Sequence, residues 1–467
     1  MRPALLLALL LSVPAGAEDL KVGAASVDIT PPPGTPMAGY YGERAADGVH
    51  DPLFAKAIVL ERDGKRVAFV GLDLIAATFG IVAEARRMIE ETAGIKGADV
   101  MISATHAHTG PILQGKGDRV HPFGGKNPLT VKYGERLPGM IAEAVRKAGK
   151  NLRPARVSGV HGHEPSICFN RRFHMTDGTV GWNPGKLNPK ILKPAGPIDP
   201  DVAVVYFESD DEARVPLATY VNYSVHLDNV GGTKFSADMP ATVRDLLGRF
   251  KGPDMVTLYT AGCCGDVNHI DVKWAAPQNG HSNAARMGVI LAGEILRAWP
   301  GLKAEPSGGL RVRTTKLRLP LPKIRDEDIS SARAVVARLG DKTKPVPFLE
   351  QVQAFKVLDV DARKGEPNEV EVQVIALGDR YAWVSLPGEV FVELGLAIKQ
   401  DSPFRHTIVA ELANGIIGYI PSRRAYAQGN YEVVSARCAE GSGEMLVDAA
   451  VEMLKELHLE ASGEKAK

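Results

Sequence analysis

Residues 66–111 read "RVAFVGLDLIAATFGIVAEARRMIEETAGIKGADVMISATHAHTGP". Arg66 to Ala77 is an apolar run of strand length. Gly80 to Gly94 spaces its apolar residues as a helix does, with charges between them. Ala98 to His108 is apolar again and runs into two histidines, His106 and His108. Strand, helix, strand is the rhythm of the rest of the chain. Further strands are expected at "ARVSGVHGH" (155–163), "VAVVYFES" (202–209), "VPLATYVNYSVH" (215–226), "DMVTLYTAG" (254–262), "LRVRTTKLRLPL" (310–321), "RHTIVAELAN" (405–414) and, as a pair, "NEVEVQVIALGDRYAWVSLPG" (368–388). Helices are expected at residues 134–150, 239–250, 282–299, 326–340, 390–400 and 443–458. Such alternation implies an α/β (α+β) fold, with mixed central β-sheets flanked by helices.

The 467 residues are 45% hydrophobic and 24% charged, the composition of a soluble globular protein. A net charge of +1 leaves no footprint for nucleic acid. Residues 1–17 combine Arg2, an apolar run from Ala4 to Val13 and Ala15-Gly16-Ala17, which is the pattern of a secretory signal. The protein is therefore expected to be exported, to the periplasm or the medium, with no transmembrane segment. Residues 18–460 read as a single domain and 461–467 as a disordered tail. Loops are expected from Lys186 to Pro200 and over "GDKTKPVPFLEQ" (340–351), and neither divides independent domains. Cys168, Cys263, Cys264 and Cys438 leave two readings open: one bridge from Cys438 to the 263/264 pair, or buried free thiols. The sequence does not set the oligomeric state.

Polar residues gather where apolar runs stop, the place where sheet proteins carry chemistry. In an extended strand His106 and His108 face one side, as a metal pair or as two hydrogen-bonded polar residues. His226 ends another run. Glu389 follows a Pro-Gly break in "SLPGE", as a site carboxylate or as an acid at a helix start. "AGCCGDVNHI" concentrates Asp266, Asn268 and His269 at a turn. "CFNRRFH" offers Arg171 and Arg172 to an anion or carbonyl, or to solvent. Tyr419, Tyr426 and Tyr431 lie in "YIPSRRAYAQGNYE". Gly110 and Pro111 stand where a metallo-β-lactamase motif needs Asp-His, and there is no nucleophile elbow, Walker loop or dinucleotide fingerprint.

Taken in order, these pieces resemble the neutral/alkaline (non-lysosomal) ceramidase family. "SATHAHTGP" is similar to its T-H-T-H-S-G-P block, and "NYSVH" to the stretch before its second zinc histidine. "AGCCGDVNHI" is similar to its G-D-V-S-P-N block and "SLPGE" to its P-G-E block. "YIPSRRAYAQGNYE" is similar to its Y-V-T-x-x-x-E-Y-x-x-Q-x-Y-E block. The resemblance implies a ceramidase-like catalytic domain holding one zinc ion on His106, His226, Glu389 and Tyr419. It implies that His108, Arg171 and Tyr431 face the substrate or its developing oxyanion, and that His108 or Asp266 takes the proton. Asn268 stands where the family has serine. It cannot serve as a serine-type nucleophile but can orient water. No counterpart of the family's C-terminal β-sandwich is expected after Tyr431. The expected activity is hydrolysis of an amide (N-acyl) or ester bond in a small-molecule or lipid-like substrate. Alternatives are metal-dependent cleavage of another bond, such as a glycoside, or a non-catalytic metal-binding relative.

Overall fold

The computed structural model describes residues 19–305, 308–339 and 343–462. The expected leader lies outside them, as do residues 463–467 of the expected tail. Eight strands form the first sheet: β1 (Lys21–Asp28), β2 (Phe54–Arg62), β3 (Lys65–Leu72), β4 (Val100–Ala104), β5 (Arg153–His163), β6 (Asp201–Ser209), β7 (Pro216–Tyr223) and β8 (Val256–Ala261). Their order is β8-β7-β6-β5-β1-β2-β3-β4, with the short strand Ala304–Glu305 added beside β5. The inner pairs are antiparallel, whereas β3–β4 and β7–β8, at the two ends, are parallel. Each parallel pair is closed by a crossover helix: α1 (Phe79–Ala93) for the first and α3 (Met239–Lys251) for the second. The quoted stretch is the first of these units.

The sheet is hinged. β1 and β5 share only Lys21↔Pro154 and Val22↔Arg153. Beyond that corner the β7–β8 end folds back over the β3–β4 end. A Cβ on Gly71 of β3 would lie 3.0 Å from the Leu258 side chain of β8. Two ends far apart in strand order thus become neighbours in space.

A second sheet, in the order β9 (Leu310–Leu319), β10 (Asn368–Leu377), β11 (Tyr381–Ser385) and β12 (His406–Ala410), packs on the fold. Period-two alternation sends apolar side chains to both faces. Trp383, Ile375 and Ile408 meet Phe69, Tyr220 and Leu258 of the first sheet. Their neighbours Val372, Val374 and Val384 face outward against α7 (Val392–Asp401) and α8 (Ser442–Ser462). On the first sheet, α1 and α2 (Pro128–Lys150) cover Val59, Val70 and Ile102, while α3 and α4 (His281–Ala298) cover Val204 and Val221. Residues 411–414 lie in the seam between the two ends. The Glu411 N–H donates to Ala261 of β8, and Asn414 exchanges hydrogen bonds with Ile102 of β4.

The expected architecture is present, with local differences. β2 was not expected, because Lys56 interrupts its apolar run. That ammonium is buried on the Asp73 carboxylate at 2.7 and 2.8 Å. The expected loop over residues 340–351 gives way to helix α6 (Phe348–Ala362), which pairs with α5 (Asp326–Ala337) as a hairpin inserted between β9 and β10. Its prolines mark only the helix start, at Pro347. Residues 340–342 lie outside the described part. The Lys186–Pro200 loop contains a short strand, Ile191–Pro194. α8 runs on to Ser462, past the expected start of the tail. All four cysteines are buried free thiols, the second of the two readings, and Cys438 forms no bridge to the 263/264 pair.

Candidate metal centre

β4 ends at Ala104. Thr105 and His106 then donate their backbone N–H groups to Leu72 and Leu74 and fold the chain over the end of β3. His106 adopts a left-handed φ of 72°, uncommon outside glycine. The extended pairing expected for His106 and His108 is therefore wrong. A turn, not a pleat, aims both rings at one point. His226 arrives from just past the end of β7, and the His108 N–H donates to Leu227 in the same loop. The two histidine loops thus leave the two parallel ends that the hinge brings together.

The Nε2 atoms converge. His106 and His226 are 2.9 Å apart, His108 and His226 3.2 Å, and His106 and His108 3.3 Å. Nδ1 of His106 faces the Ile75 carbonyl at 2.8 Å and Nδ1 of His108 faces that of Gly39 at 3.0 Å. A carbonyl only accepts, so each Nδ1 carries the hydrogen and each neutral Nε2 presents a lone pair. Lone pairs turned on one another are not satisfied by one another; a cation satisfies them. Zinc–nitrogen bonds of about 2.0–2.1 Å in tetrahedral geometry separate two ligand nitrogens by about 3.3 Å. The chemistry and spacing of the donor set fit such an ion.

Glu389 Oε2 lies 3.4 Å from His106 Nε2. The short strand Glu389–Val390 pairs in parallel with Tyr419–Ile420, placing Glu389 opposite Tyr419. Gly265 makes this possible, because a Cβ there would stand 2.5 Å from the Glu389 carbonyl oxygen. Burial acts to raise the Glu389 carboxyl, but His106 and the Tyr419 hydroxyl hold it below the usual range. Burial also acts to lower His106, and Glu389 outweighs it and raises the imidazole. Burial and the neighbouring His106 push His108 down to about 4 and His226 well below its ordinary value. Of the three rings, His108 is the one that is only partly buried.

Tyr431 lines the same cleft, which has a volume of about 540 Å³. Arg171 stands behind it. Its buried guanidinium donates to Glu432 at 2.9 Å, to the Gly265 carbonyl at 2.7 Å and to the Tyr419 hydroxyl at 3.0 Å. Burial raises the Tyr419 phenol, and Arg171 opposes that rise. Arg171 therefore reaches the cleft through Tyr419, whereas direct contact with substrate was expected. Arg172 is also buried, on the other oxygen of Glu432 at 2.8 Å.

Asp266 and Asn268 do not line the cleft. The Asp266 carboxylate accepts from Asn170 and from the Val392 N–H, and burial pushes it up to about 6. Asn268 is buried, donating to Asn183 and accepting from the Ile270 N–H. Both hold the turn together, as a small-residue turn packed under the site requires. The sequence reading missed Glu432, although it adjoins Tyr431. It also missed Asp228, two residues after His226, which pairs with His269 at 3.0 Å.

Curled mixed sheets carry a histidine–carboxylate cluster beyond their strand ends, on an α/β scaffold whose histidines could hold a metal ion. The fold is similar to that of solved ceramidases. The structure superposes on neutral ceramidase from Pseudomonas aeruginosa with a TM-score of 0.73 and 20% identity, covering 96% of this chain and 75% of that one. It matches a ceramidase complexed with C2 with a TM-score of 0.73 and 18% identity, covering 96% and 77%. No protein-family model matches the chain.

Proposed function

We propose that the protein is a zinc-dependent hydrolase of an amide (N-acyl) or ester bond. The observation that carries this reading is the convergence of three histidine Nε2 atoms beside Glu389 at the cleft. Likeness in fold to ceramidases supports an N-acyl amide in a lipid-like molecule as the target. His106, His226, Glu389 and Tyr419 would hold the ion, as the most enclosed donors. Zinc, when bound, supplies a Lewis acid that acidifies water and polarises a carbonyl. His108, the partly exposed ring, offers its Nε2 lone pair to a water proton while its Nδ1–H stays on Gly39. The Tyr431 hydroxyl faces the cleft as a donor to a developing oxyanion. Arg171 orients and polarises Tyr419. Asp266 and Asn268 support the turn beneath. Among the described residues no helix is long and apolar enough to cross a membrane; export rests on the pattern of residues 1–17.

Metal analysis tests the site. About one zinc per chain is expected, lost in His106→Ala, His226→Ala and Glu389→Ala. His108→Ala is expected to retain the metal and to lose activity on a panel of N-acyl amides and esters by about 10²-fold or more. Protein that takes up no zinc would overturn the reading.

A further inference from the structure

The lining of the cleft carries charge that the reaction above does not use. Arg119, from the loop before α2, and Arg437, from the loop before α8, both line the cleft, and both are paired with one carboxylate, Asp359 of α6. Two guanidiniums on one carboxylate leave a net positive charge. Acids of the flanking segments face other groups. Asp118 accepts from the Gly80 and Gly115 N–H groups, Glu366 pairs with Arg318, and Glu389 belongs to the metal floor.

Arg437 donates through Nε and Nη2 to Asp359 and through Nη1 to the Ser435 carbonyl. A guanidinium carries five N–H donors, so these contacts do not exhaust it. Its Nη1 lies 3.5 Å from where a Cβ on Gly418 would stand, next to Tyr419. The unused donors are therefore close to the reacting centre. Among the rings that line the cleft, Tyr431 is backed by Trp182 at 4.4 Å and Phe348 at 5.4 Å, and Tyr41 packs on Phe348 at 5.3 Å. Phe123 and Phe355 continue this apolar lining at 5.5 Å.

We propose that Arg119 and Arg437 form an oxyanion subsite, and that the substrate is an anionic N-acyl amphiphile. Its acyl chain lies on the aromatic wall, and a carboxylate or sulfonate follows close after the scissile bond. The inference rests on the hydrolase reading and narrows its substrate class.

The test uses the zinc-loaded full chain and three probes with the same acyl group: N-dodecanoylglycine, N-dodecanoyltaurine and the neutral N-dodecanoylethanolamine. Binding is measured by calorimetry, and release of the amine is measured separately. Both anionic probes are expected to bind roughly tenfold more tightly than the neutral one, a typical return for charge-assisted hydrogen bonds. The ratio is expected to collapse in Arg437→Gln and in Arg119→Gln. Arg119 is half-exposed, so its variant keeps the test alive if the more buried Arg437 variant fails to fold. Equal affinity for all three probes overturns the subsite. So does a preference that survives in both variants, since the metal alone would then bind the oxyanion. Preferential binding with no amine released upholds the subsite and overturns the hydrolase reading. Release of ethanolamine without anion preference does the reverse.

Discussion

Replacing Glu432 with glutamine puts the greatest strain on this architecture. The carboxylate has no exposed surface, and its two oxygens pair with two guanidiniums, Arg171 at 2.9 Å and Arg172 at 2.8 Å, whose side chains are each 2% exposed. Glu432→Gln keeps the shape and removes the charge. Breaking a buried ion pair by removing one partner costs about 3–5 kcal/mol, because the remaining charge is stranded away from water. Here two charges are stranded. Arg171 keeps its bonds to Gly265 and Tyr419, and Arg172 keeps Gly429, so the loss should stay near about 4 kcal/mol and not double. That is a large part of a typical stability of about 5–15 kcal/mol. Urea unfolding followed by tryptophan fluorescence measures it. Adding Arg172→Met should recover about 1 kcal/mol or more, since one stranded cation is then gone. A single-variant loss below about 1 kcal/mol would refute the premise that this triad is held by uncompensated buried charge.

Gly265→Ala forces a Cβ against the backbone of Glu389 and should cost about 1–3 kcal/mol while weakening zinc uptake, read by thermal unfolding and metal content. Unchanged zinc affinity would show that the turn does not position Glu389. Asp238 caps α3, and burial raises its carboxyl from 3.8 to about 6. A group raised in this way favours the fold below its unfolded pKa, and that contribution is lost as pH rises through the folded value. Asp238→Asn, which does not titrate, should therefore gain on the parent by on the order of 3 kcal/mol between pH 4 and 6.5. Urea midpoints at the two pH values check this, and a pH-independent difference would count against it.

Strands and helices were legible wherever apolar spacing held for a full element, as in Arg66–Ala77 and Gly80–Gly94. β2 was hidden by Lys56, whose burial depends on Asp73, a partner just past the end of β3. α6 was hidden by the prolines that precede it. The histidines, Glu389 and Tyr419 were legible as a set, because motif order survives where fold survives. Their geometry was not. A left-handed turn at His106 and a hinge closed by only two residue pairs leave no periodicity to read. Arg171 looked like a substrate group because its real partner, Glu432, lies 261 residues further on. Asp266 and Asn268 looked catalytic because a turn rich in small residues reads alike whether it borders a cleft or lies beneath one.

The seam at residues 411–414 also sets an order of events. Two of the proposed ligands, His106 and His226, lie in loops that leave strands of the first sheet; Glu389 and Tyr419 come long after it in the chain. As the protein is synthesised from its N-terminus, the first sheet can form while half of the site is still missing. Capture of an ion by the four proposed ligands would have to wait until the chain beyond Tyr419 has emerged and settled against β4 and β8. The ion would then act as a latch that fastens the late half to the early one, so a chelator should loosen that seam well before it disturbs the helices around it.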